Sequence, residues 1–334
     1  MASRPGGVGL APGPPPQGTA RVSRSLWLLL GMLLAAPAAR AQFDYRRTVV
    51  PGKPLCLAWP IREYVYHLDA AGSLWTPGDT ELTAIEAAFD SWRALAAGCT
   101  DYVFTRGPDV TNPSVGYDQS HPELNQNVIT FRERPCFEVV PENDVCKEDD
   151  SCGNAYACWE HGFATIALTT TTFSFNTGYA LDADIELNAA QAGGGPGFLF
   201  TTVSSPPCLG EILPECVATD VQNTMTHEIG HVVGLDHVYS LLSTMEATAP
   251  AGETHKRVID VGSGAGFCRT YPRGLPPAQC GEPVVTNKQL SAQSTGTGCA
   301  AAPGPWWGGV WLGAWGAMAL RRRARRRIRG QGSL

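Results

Sequence analysis

His227 and His231 stand four residues apart in the stretch HEIGHVVGLDH, residues 227–237. On a helix that spacing puts both imidazoles on one face, a single turn apart. Two nitrogens so placed can reach one metal ion, but a continuing helix cannot supply a third ligand from another direction. Gly234 can take the positive φ that turns a chain back, and His237 then arrives from outside the helix. Three neutral histidines leave a fourth position open, which is the arrangement of a catalytic zinc rather than a closed structural one. Glu228 follows the first histidine and points about 100° around the helix from it. It stands beside the ion without ligating it. Zinc lowers the pKa of a bound water to about 7, so Glu228 is expected to take that proton as general base and return it to a leaving amine as acid. The chemistry expected of these residues is peptide-bond hydrolysis.

Other segments must position this set. Thr219 and Gln222 have capping-box spacing, which predicts that the histidine helix starts there and runs to Val233, with Gly234 as its stop. A second helix is predicted over 80–97. Its apolar residues Leu82, Ile85, Phe89, Trp92 and Ala96 recur every three or four positions, and Gly98 reads as its end. Runs rich in β-branched and aromatic residues predict strands at 64–68, 102–105, 128–131, 164–175 and 183–187. Helices among several strands imply a mixed sheet packed on helices. The stretch 135–161 holds four cysteines and the acids Glu142, Asp144, Glu148, Asp149 and Asp150. It reads as a long loop pinned by disulfides. Its spacing does not fit an EF-hand loop, although calcium remains an open cofactor beside zinc.

Both ends read as addressing segments. Arg21 and Arg24 precede the apolar run 26–36, and Ala39-Arg40-Ala41 forms a small-residue cleavage site. Residues 1–41 are therefore expected to be a signal peptide, with Gln42 the first mature residue. Residues 42–282 are expected to be one catalytic domain, and 283–298, rich in Ser, Thr and Gly, a linker. The tail 299–334 begins at Cys299. Residues 300–320 carry no charge, and seven arginines follow. As a helix, those 21 residues would span about 31 Å, enough to cross a bilayer core. Between the ends, 14 basic residues face 31 acidic ones, a net charge of −17. Such a body is not expected to bind nucleic acid. Ten cysteines lie in it, an even number that suggests five disulfides in an exported protein. Cys208 with Cys216, or Cys268 with Cys280, would close small loops, but spacing alone leaves connectivity open.

The stretch 227–237 matches H-E-x-x-H-x-x-G-x-x-H at all five fixed positions. A chance match in a chain of this length is on the order of one in ten thousand. The sequence here resembles the metzincin metalloproteases, and Gly234-Leu235-Asp236-His237 resembles the matrixin-like branch. The resemblance implies a methionine turn after the third histidine, and Met245 is its candidate. Phe89-Asp90-Ser91-Trp92 is similar to the first matrixin helix. Residues 182–188, DADIELN, are similar to a sheet-edge strand that pairs with extended substrate. Residues 266–272, GFCRTYP, are similar to the end of the closing helix. The likeness spans roughly residues 60–275. It implies an α+β fold of metzincin type: a twisted, mostly parallel sheet with an antiparallel edge strand, packed on a first helix and a zinc-binding active-site helix. Val238 stands where matrixins commonly carry serine, and no tyrosine sits just after Met245. No cysteine-switch propeptide is expected, and the family's structural zinc and calcium sites do not carry over residue by residue.

The tail resembles the myxobacterial C-terminal sorting signal: a Gly-Cys pair, an apolar stretch and an arginine cluster. This implies a sorting protease acting near Cys299, membrane contact through the tail before processing, and display at the cell surface (outer membrane) or secretion. The expected function is that of an exported zinc endopeptidase acting on extracellular proteins or peptides. His227, His231 and His237 would bind metal, Glu228 would act as base and acid, and Met245 would form the floor. A non-catalytic, zinc-containing surface module and a membrane-anchored structural protein remain the alternatives.

Overall fold

Every apolar position of the early helix stripe turns inward. In the computed structural model, which describes residues 44–190, 197–280, 296–297 and 300–301, Ile85, Phe89, Trp92 and Ala96 are buried and Leu82 packs at the margin. The expected signal peptide, most of the linker and nearly all of the apolar tail lie outside those residues. Among the described residues, no helix is long and apolar enough to cross a membrane.

The elements run in this order. Strand β1 is Arg46–Arg47 and β2 is Glu63–Leu68. Helix α1 is Thr80–Cys99, followed by β3, Val103–Arg106, and β4, Asn127–Arg132. The short helices α2, Cys136–Val139, and α3, Cys152–Tyr156, lie in the cystine-rich loop. Strands β5, Ala167–Phe173, and β6, Ala180–Asn188, come next. Strands β7, Phe200–Thr201, and β8, Thr219–Asp220, precede the histidine helix α4, Val221–Val232. Then come β9, Leu235–Asp236, β10, Thr248–Ala249, and α5, Val261–Thr270. Strands β11, Gly296–Thr297, and β12, Ala300–Ala301, close the list.

The central sheet has the order β11-β5-β6-β4-β2-β3. Pairs β2–β3, β2–β4 and β4–β6 are parallel, whereas β5 lies antiparallel to β6. The chain is therefore a mixed α/β protein with a mostly parallel sheet and few helices, compatible with an α+β fold. One expectation is corrected here. Residues 182–188 are not a sheet edge, because β6 is flanked by β5 and β4. Nearly every residue of β6 is buried, and only Leu181 is exposed. A strand covered on both faces and both sides does not alternate, so its letters cannot show which neighbour is missing. The edges of the sheet are β3 and, beyond β5, the two-residue β11; in β5 itself Thr169 is buried and Thr170, Thr171 and Thr172 are half-buried.

Helix α1 runs two residues beyond its predicted end. Gly98 is helical, and the extended backbone of Thr100 stops the helix (φ −137°). The Cys99–Cys268 disulfide ties the last turn to α5, which outweighs the small helix penalty of one glycine. At the other end, Glu81 is buried and accepts from the Ser73 amide at 3.1 Å and from the Thr76 hydroxyl. An aromatic cluster joins α1 to the sheet. Tyr66 stacks on Phe89 with ring centroids 3.7 Å apart, and Tyr64 and Phe104 extend the cluster. Each such pair contributes about 0.5–1.5 kcal/mol beyond its buried area.

Five disulfides are present among the described residues: Cys56–Cys280, Cys99–Cys268, Cys136–Cys158, Cys146–Cys152 and Cys208–Cys216. The short Cys208–Cys216 loop forms as considered. Cys268 and Cys280 do not pair with each other; each instead joins a distant segment of the chain. The 135–161 stretch is pinned by its own two cystines. It is also pinned by the buried Arg132–Glu186 pair at 2.6 Å, where His161 lies 3.2 Å from the same carboxylate.

Strand β6 also carries two buried acids. Asp184 accepts from the amides of Gly116 at 2.6 Å and Val128 at 2.8 Å, while Asp182 Oδ2 has no hydrogen-bond partner. Burial raises the Asp182 pKa to about 6, and burial plus the neighbouring Asp182 charge raises Asp184 well above the carboxylate range. A raised folded-state pKa means that the folded chain binds protons more tightly than the unfolded one. Stability from Asp182 is thus full below about pH 4 and is lost as pH rises through about 6, and Asp184 acts in the same direction. In metal-stripped protein, Asp182→Asn is expected to raise the melting temperature at pH 8 by about 4 °C or more, and to change it little at pH 4. Equal shifts at both pH values in a thermal melt would show that the pair carries no such strain.

Candidate metal centre

Helix α4 starts one residue later than its spacing suggested. Thr219 lies in β8 beside Phe200, and the cap is Asp220, whose carboxylate accepts from the Asn223 amide at 2.7 Å. The same carboxylate binds Arg257, with Nε at 2.8 Å. A charged side chain serving both partners displaces the neighbouring threonine as cap. From Asn223 to Val232 the helix is buried all round, so it lies inside the molecule. Its position is set by Trp92, whose indole N–H donates to the Thr226 carbonyl at 3.0 Å.

The helix ends as its sequence predicts. Val233 is the last cap, and Gly234 has φ +87°, with its amide donating to the His231 carbonyl at 2.9 Å. A side chain at 234 would not fit, because a Cβ there would lie 2.5 Å from the Leu57 carbonyl oxygen. The chain then reverses into β9, which pairs antiparallel with β1, Arg46 opposite Asp236 and Arg47 opposite Leu235. That pairing delivers His237.

The three histidines converge. Nε2 of His227 lies 3.0 Å from that of His231 and 3.2 Å from that of His237, and the last pair is 3.1 Å apart. The other ring nitrogens explain why this needs a cation. His227 Nδ1 lies 2.6 Å from the Thr244 carbonyl, and His231 Nδ1 lies 2.9 Å from the Leu235 carbonyl. A carbonyl only accepts, so both Nδ1 atoms carry the proton and both Nε2 atoms present lone pairs. Burial keeps the rings neutral. It lowers the pKa of His231 to about 4 and of His237 to about 3, and pushes His227 well down. Bare nitrogens facing one another repel unless an ion lies between them. Ligands about 2.0–2.1 Å from a tetrahedral zinc would stand roughly 3.3 Å apart, close to the spacing found. The triad can hold a metal ion.

Glu228 is fully buried, and its Oε2 accepts from the Thr169 hydroxyl of β5 at 2.6 Å. Met245 is buried beneath the helix at Gly230; a Cβ on that glycine would meet the Met245 sulfur at 2.3 Å. The turn that carries Met245 is held by Asp260. Its carboxylate accepts from the Thr244 amide at 2.8 Å and the Ser243 hydroxyl at 3.1 Å, and its own amide donates to Thr244 Oγ1 at 3.0 Å. Asp260 also caps α5 through the Gly262 and Ser263 amides. All five residues singled out in the sequence thus fall in one region.

Thr169, Thr244 and Asp260 are additions that spacing did not show. Thr169 is one threonine in a run of four, and nothing local marks which faces Glu228. Asp260 did carry a legible signal, an aspartate just before a helical segment, but its link to residues 243–244 is a tertiary contact. In comparisons with known proteins, no family model matches the chain, and no curated protein matches it.

Proposed function

We propose that this chain is an exported zinc-dependent endopeptidase of metzincin type that hydrolyses extended polypeptides outside the cell. The observation that carries the reading is the convergence of three neutral Nε2 atoms beside a buried glutamate. Bound there, zinc would supply a Lewis acid that acidifies a coordinated water and polarises a peptide carbonyl. The remaining work belongs to side chains. Glu228 removes the water proton and delivers it to the leaving amine. Thr169 holds the Glu228 carboxylate in one orientation. The lone pairs of His227 and His231 are aimed by carbonyls on their far nitrogens. Strand β5, at the side of the domain body, offers backbone groups to an extended peptide, and the exposed Tyr239, Leu241 and Leu242 after His237 offer apolar contacts.

Five disulfides support residence in an oxidising compartment, as the leader at 1–41 implies. Display at the cell surface or release after cutting near Cys299 completes the proposed itinerary. A zinc-keeping binding module would need no carboxylate oriented beside the triad, so the Thr169–Glu228 contact favours the enzyme.

The purified chain is expected to carry one zinc and to cleave short peptides from a broad library at saturating concentration. A chelator should remove both metal and activity, and added zinc should restore both. A zinc-loaded chain idle on the whole library would overturn the reading, as would cleavage that persists after the metal is gone.

A further inference from the structure

The segment 44–48 and the reversal that carries His237 are built around each other. Asp44 and Tyr45 are seated on α5 by two glycines four apart, which share one face of that helix. A Cβ at Gly262 would collide with the Asp44 carbonyl oxygen, and one at Gly266 would lie 2.7 Å from the Tyr45 ring. The same Cβ at Gly266 would lie 2.9 Å from the Leu235 side chain, so Tyr45 and β9 fill one notch of the helix. The Arg269 guanidinium lies over the Tyr45 ring, 5.6 Å from its centroid. From this seat the chain runs on as β1 beside β9.

Thr48 is where the segment comes nearest to the metal ligands. Its amide donates to the Gly234 carbonyl at 3.0 Å, on the residue whose φ is +87°. Its hydroxyl donates to the Leu235 carbonyl at 3.2 Å. That carbonyl is the one that receives the His231 Nδ1 proton, at 2.9 Å. A carbonyl oxygen has two lone pairs, so it can serve the ligand and Thr48 together. One threonine thus bears on two ligands: on His231 through the shared oxygen, and on His237 through the backbone that leads to it. Arg46 adds a second link. Its Nη2 lies 3.9 Å from Asp236 Oδ2, and the other oxygen of that carboxylate accepts from the His237 amide at 2.8 Å.

We propose that segment 44–48 is a working part of the metal centre, with Thr48 a positioning residue for His231 and His237. The proposal rests on the reading of the triad as a zinc site and adds the element that completes it. Helix α4 fixes the backbones of His227 and His231, but a ring still turns about its side-chain bonds, and the partner of its far nitrogen sets its orientation. For His231 that partner is the Leu235 carbonyl, in a strand only two residues long. The Thr48 hydroxyl holds the oxygen from the side opposite the ligand's claim on it, and the Thr48 amide holds the residue before.

The test uses the full chain loaded with cobalt in place of zinc, because the visible absorption of cobalt reports the geometry of its ligands. Thr48→Val keeps the side-chain shape and the amide and loses the hydroxyl. Its cobalt affinity, measured against a chromogenic chelator, should fall about tenfold, and its visible bands should change shape. Thr48→Ser keeps a hydroxyl and should restore the native spectrum and an affinity within about twofold of native. A threonine that only supports the fold would lower the melting temperature of Thr48→Val and leave affinity and spectrum unchanged, and that result overturns the proposal. Arg46→Ala decides the matter if Thr48→Val does not fold: affinity about threefold weaker supports the proposal, and native affinity overturns it. A native chain that takes up metal, responds to these substitutions and cleaves no peptide would sink the peptidase reading and leave Thr48 in its role. A native chain that takes up no cobalt would sink the zinc reading and the proposal with it.

Discussion

Glu228→Ala keeps one zinc per chain and lowers kcat by about 10²–10⁴-fold. The split between metal and turnover follows from where the carboxylate stands. The triad assembles from His227, His231 and His237 alone, each Nε2 within 3.2 Å of the others, and Glu228 is not needed to close it. The far nitrogens of His227 and His231 are held by carbonyls of residues 244 and 235, which the substitution leaves in place. What disappears is the group that moves the proton. The Thr169 hydroxyl loses its carboxylate partner but keeps the Glu228 main-chain carbonyl at 3.2 Å, so the local fold has a fallback. Zinc content by mass spectrometry and steady-state kinetics on one peptide read the two effects separately. A variant that keeps zinc and turns over within threefold of the native chain would remove Glu228 from the reaction. A variant that loses zinc would show that the carboxylate supports the metal instead.

The parts of this site that were legible in the sequence are those whose geometry is local. A helix fixes the relation of His227 to His231 and of both to Glu228, so spacing alone predicts it. The stripe Ile85, Phe89, Trp92, Ala96 was legible for the same reason. Connectivity through space was not. The Cys99–Cys268 and Cys56–Cys280 bonds join residues 169 and 224 positions apart, and no loop-length argument selects them. The edge strand was misplaced because β6 is apolar and acidic residues buried together, whereas β5 is a bland threonine run; edges are a property of the sheet, not of a segment. The cap of α4 went to Asp220 rather than Thr219 because Arg257, 37 residues away, shares its carboxylate. Asp260 and Thr169 escaped notice on the same grounds: each acts across the fold on a residue that was itself legible.

Gly234→Ala is expected to weaken zinc binding by about tenfold or more while leaving the chain folded. At φ +87° an L side chain costs about 1–2 kcal/mol in backbone strain alone. The new Cβ would also lie 2.5 Å from the Leu57 carbonyl oxygen, and that atom cannot swing aside as a flexible side chain would. Leu57 is held on both flanks: its amide donates to Thr48 at 2.9 Å, and its carbonyl accepts from Arg47 at 2.8 Å. The strain is therefore relieved by moving β9, which is only two residues long and carries the chain directly to His237. A third ligand displaced by a fraction of an ångström loses its place among nitrogens 3.0–3.2 Å apart, and each 1.4 kcal/mol so lost is a factor of ten in affinity. His227 and His231 keep their places on α4, so the variant should bind metal weakly rather than not at all. Gly98→Ala is the control. Nothing lies within 4 Å of a Cβ at that helical position, so the chain should gain about 0.4–1 kcal/mol in stability and bind zinc as before. Competition titration against a chromogenic chelator measures both affinities, and near-ultraviolet circular dichroism checks the fold. Native zinc affinity in Gly234→Ala would show that the reversal at 234 does not position His237.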